Sequence, residues 1–112
     1  MKSASWKVVP LLMLPALVLG ADLVTVRGAG TGQCKDYLEM RRLNNSVDTY
    51  QVAAWVQGFL AGHNVFAGGK NLVAPDVDST LVEIDRFCQS HRDKAISDGA
   101  TALALRLGAV KR

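Results

Sequence analysis

The chain has 112 residues, with 13 Lys and Arg against 10 Asp and Glu and a formal net charge of +3. Lys2 and Lys7 belong to an apolar leader. Without it, eleven bases face ten acids. No concentrated cationic face remains, which argues against nucleic acid as a partner, and the length suffices for one domain with a modest core.

Residues 1–20 carry the three parts of a secretory signal peptide. Lys2 and Lys7 supply the basic start, Val8 to Leu19 an apolar run, and Val18-Leu19-Gly20 a cleavage region, so cleavage is expected after Gly20 or Ala21. As a helix the apolar run rises only about 18 Å, against a hydrocarbon core of about 30 Å. Pro10 and Pro15 weaken it further, so no stable membrane anchor is expected. No cysteine follows the Leu-x-Gly, which argues against a lipoprotein.

Residues 21–33 contain three glycines and no sustained period, and are read as a flexible tail with a short extended piece at Leu23 to Val26. Beyond them the spacing is helical. Cys34, Tyr37, Leu38 and Arg41 predict a first helix over Cys34 to Arg42, and residues 43–46 a loop. The longest helix is expected from Asp48 to about Ala67, with Asp48 and Gln51 as a capping pair and Gly68-Gly69 as its stop. Its stripe is Val52, Val56, Phe59, His63 and Phe66, flanked by Trp55 and Leu60. After a loop over 70–75 a third helix spans about Asp78 to Gln89, with Thr80 and Glu83 as its cap and Val77, Leu81, Ile84 and Cys88 on one face. The fourth runs from about Lys94 to Leu107, burying Ile96, Ala100, Leu103 and Leu107, and stops at Gly108. Alternating strand patterns are absent. The expected fold is all-α, a bundle of about four helices over residues 34–108, with a basic tail at 109–112.

Cys34 and Cys88 fall on the inner faces of their helices, and export would place them where disulfides persist. A bridge between them is expected, stabilising by roughly 4 kcal/mol in the chain-entropy model. With His63 and His91 they also form a two-Cys, two-His set, but structural zinc sites use tight ligand pairs and Cys34 and His63 are far apart. No metal and no cofactor is expected. A bridged pair leaves no thiol nucleophile. No serine lies in a Gly-x-Ser-x-Gly elbow, and Asp76, Asp78, Glu83 and Asp85 are explained by capping and a solvated helix face. No enzyme is expected.

Gly58 and Gly62 are four apart inside the longest helix and cost roughly 1 kcal/mol each relative to alanine. They suit close approach by another element, either within the domain or from a partner. Trp55-x-x-Gly58-Phe59-x-x-Gly62-x-Asn64, with Cys34-x-x-Tyr37-Leu38 before it and Ile84-x-x-Phe87-Cys88 after it, resembles the small periplasmic Rap/Tai immunity proteins. Those protect bacteria against type VI secretion effectors. The same layout is similar to the wider group containing the acid-stress chaperones HdeA and HdeB. Where such proteins often show Asn-Pro after the second cysteine, this chain has Ser90-His91-Arg92-Asp93. The resemblance implies a periplasmic protein-binding domain without a cofactor, whose partner is an effector or an unfolded client. Trp55, Gly58, Phe59, Gly62 and Asn64 are its candidate packing or binding residues, and self-association as a homodimer stays open. The loop from Gly68 to Pro75 is a second candidate recognition element.

Overall fold

Four helices follow one another in the computed structural model, which describes residues 24–110. The expected signal peptide and Lys111-Arg112 lie outside those residues. They are α1 (Cys34–Arg42), α2 (Ser46–Phe66), α3 (Val77–Ser90) and α4 (Ile96–Leu107). A 3₁₀ turn, Gly28–Thr31, precedes them. Among the described residues there is no strand, only a single antiparallel bridge between Gln33 and Ala95.

The core follows the helical period of each sequence. α1 contributes Cys34 and Tyr37, and α2 contributes Val52, Ala53, Val56 and Leu60. α3 adds Leu81, Ile84 and Cys88, and α4 adds Ile96, Ala100, Leu103 and Ala104. Fully burying one Leu or Ile side chain contributes about 1.5–3 kcal/mol, so these few positions supply most of the driving force. α3 is central and touches α1, α2 and α4. Its approach to α4 depends on Gly99, where an added Cβ would stand 3.0 Å from the Phe87 ring. Cys34 and Cys88 are joined by a disulfide, both fully buried, tying the start of α1 to the end of α3.

Several helix starts differ from expectation. α2 begins at Ser46, because Asn45 rather than Asp48 is its cap: the Asn45 carboxamide accepts from the Asp48 amide at 3.2 Å and donates to the Asp48 carboxylate at 2.8 Å. α3 begins at Val77 because Asp76 accepts from the Ser79 amide at 2.8 Å. The expected cap residue Thr80 is instead fully buried, with its hydroxyl on the Pro75 carbonyl. Val77, placed on the inner face by its spacing, is 40% exposed because it sits in the first turn, before α3 reaches its neighbours. α4 starts at Ile96 rather than Lys94. Ala95 is held extended by the bridge, in which Cys34 donates to the Lys94 carbonyl and Ile96 to that of Gly32, each at 2.8 Å.

The stripe expected on α2 is rotated. Thr49, Val52, Ala53, Val56 and Leu60 are buried, whereas Phe66 is 88% exposed at the last helical residue, about a quarter turn away from that line. The helix stops where expected, with Gly68 and Gly69 at φ of 71° and 75°. The glycine-rich segment read as a flexible tail instead folds back as the 3₁₀ turn and packs on α2 and α4.

Candidate functional site

The residues singled out on α2 separate into two groups. Trp55 donates from Nε1 to the Arg27 carbonyl at 2.9 Å and stacks on Phe59, with ring centroids 5.5 Å apart. The 3₁₀ turn lies across its ring so closely that a Cβ on Gly30 would stand 2.3 Å from ring carbons. Asn64 makes a reciprocal pair with the backbone of buried Leu72, donating to its carbonyl at 2.9 Å and accepting from its amide at 2.7 Å. Gln57 likewise donates to the Pro75 carbonyl at 2.9 Å. Trp55, Phe59 and Asn64 thus hold the N-terminal turn and the 70–75 loop against α2. That loop is pinned at Leu72 rather than free along its length.

Gly58 and Gly62 behave differently. An added Cβ at either would meet nothing within 4 Å, so their expected role in close packing inside the domain does not hold. They face outward because the buried line of α2 runs along its opposite side. With them on the outer surface lie Val47 (68% exposed), Tyr50 (54%), Ala54, Ala61 and Val65 (71%). The spacing from Val47 through Ala54, Gly58 and Ala61 to Val65 is helical, so this second stripe was present in the sequence beside the first. No side chain along it is charged; Asp48 is the one acidic residue of the helix. Exposed helix faces ordinarily carry charge and polarity, and a contiguous uncharged face marks a contact surface more often than a solvated one. A shallow groove lined by Tyr50, Ala54, Gln57, Val77 and Asp78 widens it toward α3.

The strongest polar cluster is structural. Arg41 on α1 grips the Asp85 carboxylate on α3 at both oxygens, 2.9 Å from Nε and 2.7 Å from the terminal nitrogen. The buried Tyr37 hydroxyl donates to Asp85 at 2.6 Å. Burial pushes the Tyr37 hydroxyl above the ordinary tyrosine range, and its bond to Asp85 adds to the shift. Asp85 therefore joins two helices rather than decorating a solvated face, and Glu83 pairs with Arg106 of α4. Asp76 is held below its ordinary range by the Ser79 amide it caps. Tyr37 and Arg41 stand one turn apart on α1, but their acceptor lies 44 residues beyond Arg41, so no local spacing reveals the cluster.

Both cysteines are spent in the bridge, so His63 and His91 have no thiolate to complete a metal set. Among the described residues no group of three or more His, Cys, Asp and Glu could hold a metal ion, and no helix is long and apolar enough to cross a membrane. Compared with known proteins, the chain matches no family model, no curated protein and no solved structure.

Proposed function

We propose that this chain is a non-enzymatic, exported protein-binding domain of the immunity type, which neutralises a secreted effector by binding it through the outward face of α2. The observation that carries the reading is the pair Gly58 and Gly62, two helix-weakening residues with no packing role inside the domain, set in an uncharged exposed face. Such a face lets a partner's backbone or ring approach closely, and the clamps at Trp55 and Asn64 hold it on a rigid scaffold.

The alternative, an acid-opened chaperone, needs carboxylates whose protonation releases a buried client-binding surface. Here the Arg41–Asp85 pair joins α1 to α3, the same two helices the disulfide ties covalently. The covalent tie holds those helices together whether or not the ion pair persists, which favours the immunity reading.

The test is protection. A strain lacking the gene is challenged by siblings that deliver type VI effectors, and restored with the exported wild type or with Gly58→Glu. Wild type is expected to restore survival and Gly58→Glu to fail, although both fold alike by circular dichroism. Equal survival with and without the gene would sink the proposal. Unfolding at about pH 2 to 3 together with suppression of client aggregation would put the chaperone in its place.

A further inference from the structure

Where the turn from α1 into α2 meets the start of α3, an open cavity of about 250 Å³ is lined by Arg41, Ser46, Thr49, Tyr50, Asp78 and Leu81. At about 30 Å³ per water in the liquid, that is room for about eight waters or one small ligand. Thr49 is the feature that packing leaves unexplained. Only 4% of it is exposed, and side-chain hydroxyls set this deep are ordinarily bonded. The other two helical threonines follow that rule, Thr80 donating to the Pro75 carbonyl and Thr101 to that of Ser97. The Thr49 hydroxyl makes no such bond among the described residues. No fully enclosed side-chain polar atom there lacks a partner, so this hydroxyl opens on the cavity its residue lines.

The groups around Thr49 divide by charge. Arg41 spends Nε and one terminal nitrogen on Asp85 and keeps the other terminal nitrogen unbonded among the described residues. Next to it α2 begins, and Asn45 caps only the Asp48 amide. The first amides of a helix otherwise stay open, and its positive end favours an anion. Ser46 and Thr49 add hydroxyl donors to that side. From α3 comes the reverse, the carboxylate of Asp78, which joins no ion pair among the described residues. Arg41 is held above the ordinary arginine range first by its bonds to Asp85 and in smaller part by the charge of Asp78. Arg41 and Asp78 thus feel one another across the cavity without closing it.

That division selects the ligand. A carboxylate alone would satisfy Arg41, Ser46 and Thr49 but stand against Asp78. An amine alone would satisfy Asp78 but stand against Arg41 and the positive end of α2. A carboxylate and an ammonium on one carbon satisfy both sides, through charge-assisted bonds. We propose that this cavity binds a free α-amino acid, its carboxylate on Arg41, Ser46 and Thr49, its ammonium on Asp78, and an aliphatic side chain toward Tyr50 and Leu81. Tyr50 and Asp78 also border the groove beside the outward face of α2, so the ligand lies at the edge of that face. The proposal does not depend on how the face is used.

The test is an NMR titration of the isotope-labelled, disulfide-bonded protein with L-alanine, L-valine and L-leucine. At least one should bind with dissociation in the range of about 10 μM to 1 mM, shifting the amides of Ser46 to Tyr50 and Asp78 to Leu81. N-acetyl-valine lacks the ammonium and valine methyl ester the carboxylate, and each should bind at least tenfold more weakly than valine. Asp78→Asn, at an exposed and unpaired position, should weaken binding at least tenfold. Thr49→Val keeps the shape, removes only the unbonded hydroxyl, and should weaken it several-fold; both variants should melt as wild type does. Arg41 is left in place because it joins α1 to α3. Amide shifts absent at about 10 mM of all three amino acids, shifts confined to another part of the molecule, or equal binding of the two blocked valines would overturn the proposal. Binding indifferent to both substitutions would overturn it as well. The survival assay reads protection and is independent of these outcomes.

Discussion

Gly30 shows how a single absent methyl holds an element in place. The 3₁₀ turn runs across the Trp55 ring, and the indole N–H reaches the Arg27 carbonyl only if the turn lies flat on it. A Cβ at 2.3 Å from the ring leaves no room, and the ring cannot retreat because it is stacked on Phe59. Gly30→Ala is therefore expected to cost about 1–3 kcal/mol, the range for overpacking a filled site. Chemical denaturation followed by Trp55 fluorescence would measure it. An unchanged midpoint would show that the turn detaches freely. In the sequence Gly30 was one of several glycines in a segment without a period, and its partner lies 25 positions away. Asn64 was visible only as part of a spacing pattern, since its acceptor and donor, the Leu72 backbone, carry no side-chain signal. Gly58 and Gly62 were visible as anomalies, but whether they face inward or outward depends on which of two stripes on α2 is buried.

The elements themselves were more legible than these contacts. α1 spans the residues its Cys34, Tyr37 and Arg41 spacing predicts, and α4 ends at Gly108 because that residue alone takes the positive φ of 121°. Cap positions were misplaced where two candidates competed. Asn45 and Asp76 come before the residues chosen, and each side chain meets the amide three residues on, which moves both helix starts outward. The pairing of α1 with α3 adds a pH dependence. Tyr37 has a raised pKa in the folded state, owing first to burial and then to its bond with Asp85. A group raised in this way stabilises the fold fully below its unfolded value, about 10 for tyrosine, and that contribution is lost as the pH rises above it. Unfolding free energy should accordingly fall above about pH 10. Tyr37→Phe should cost about 1 kcal/mol at neutral pH and flatten the alkaline fall. Urea titrations at several alkaline pH values would show it. Parallel pH profiles for the two proteins would mean that Tyr37 does not control the alkaline limb.

At the scale of the molecule, four short helices enclose a core too small to be generous, and the covalent tie does part of the work. The bridge closes a segment with a sequence separation of 54 and joins α1 to α3, the helix every other helix touches. Cutting it leaves α1 held by the packing of Tyr37, Leu38 and Met40, by the backbone bridge at Cys34 and by the Arg41–Asp85 pair. Replacing both cysteines with alanine should cost about 2–5 kcal/mol, through the unfolded chain's regained entropy and the lost burial. The loss should be larger when Asp85→Asn removes the second tie as well. Thermal melts of the double variant with and without Asp85→Asn would separate these contributions. If adding Asp85→Asn cost the double variant no more than it costs the parent, the Arg41–Asp85 pair would not be the fallback connection. The same comparison bears on function. A bridge-free domain that opens when Asp85 is replaced, while the bridged one stays closed, would show that the disulfide keeps the scaffold under α2 rigid and fits the proposed use of its outward face.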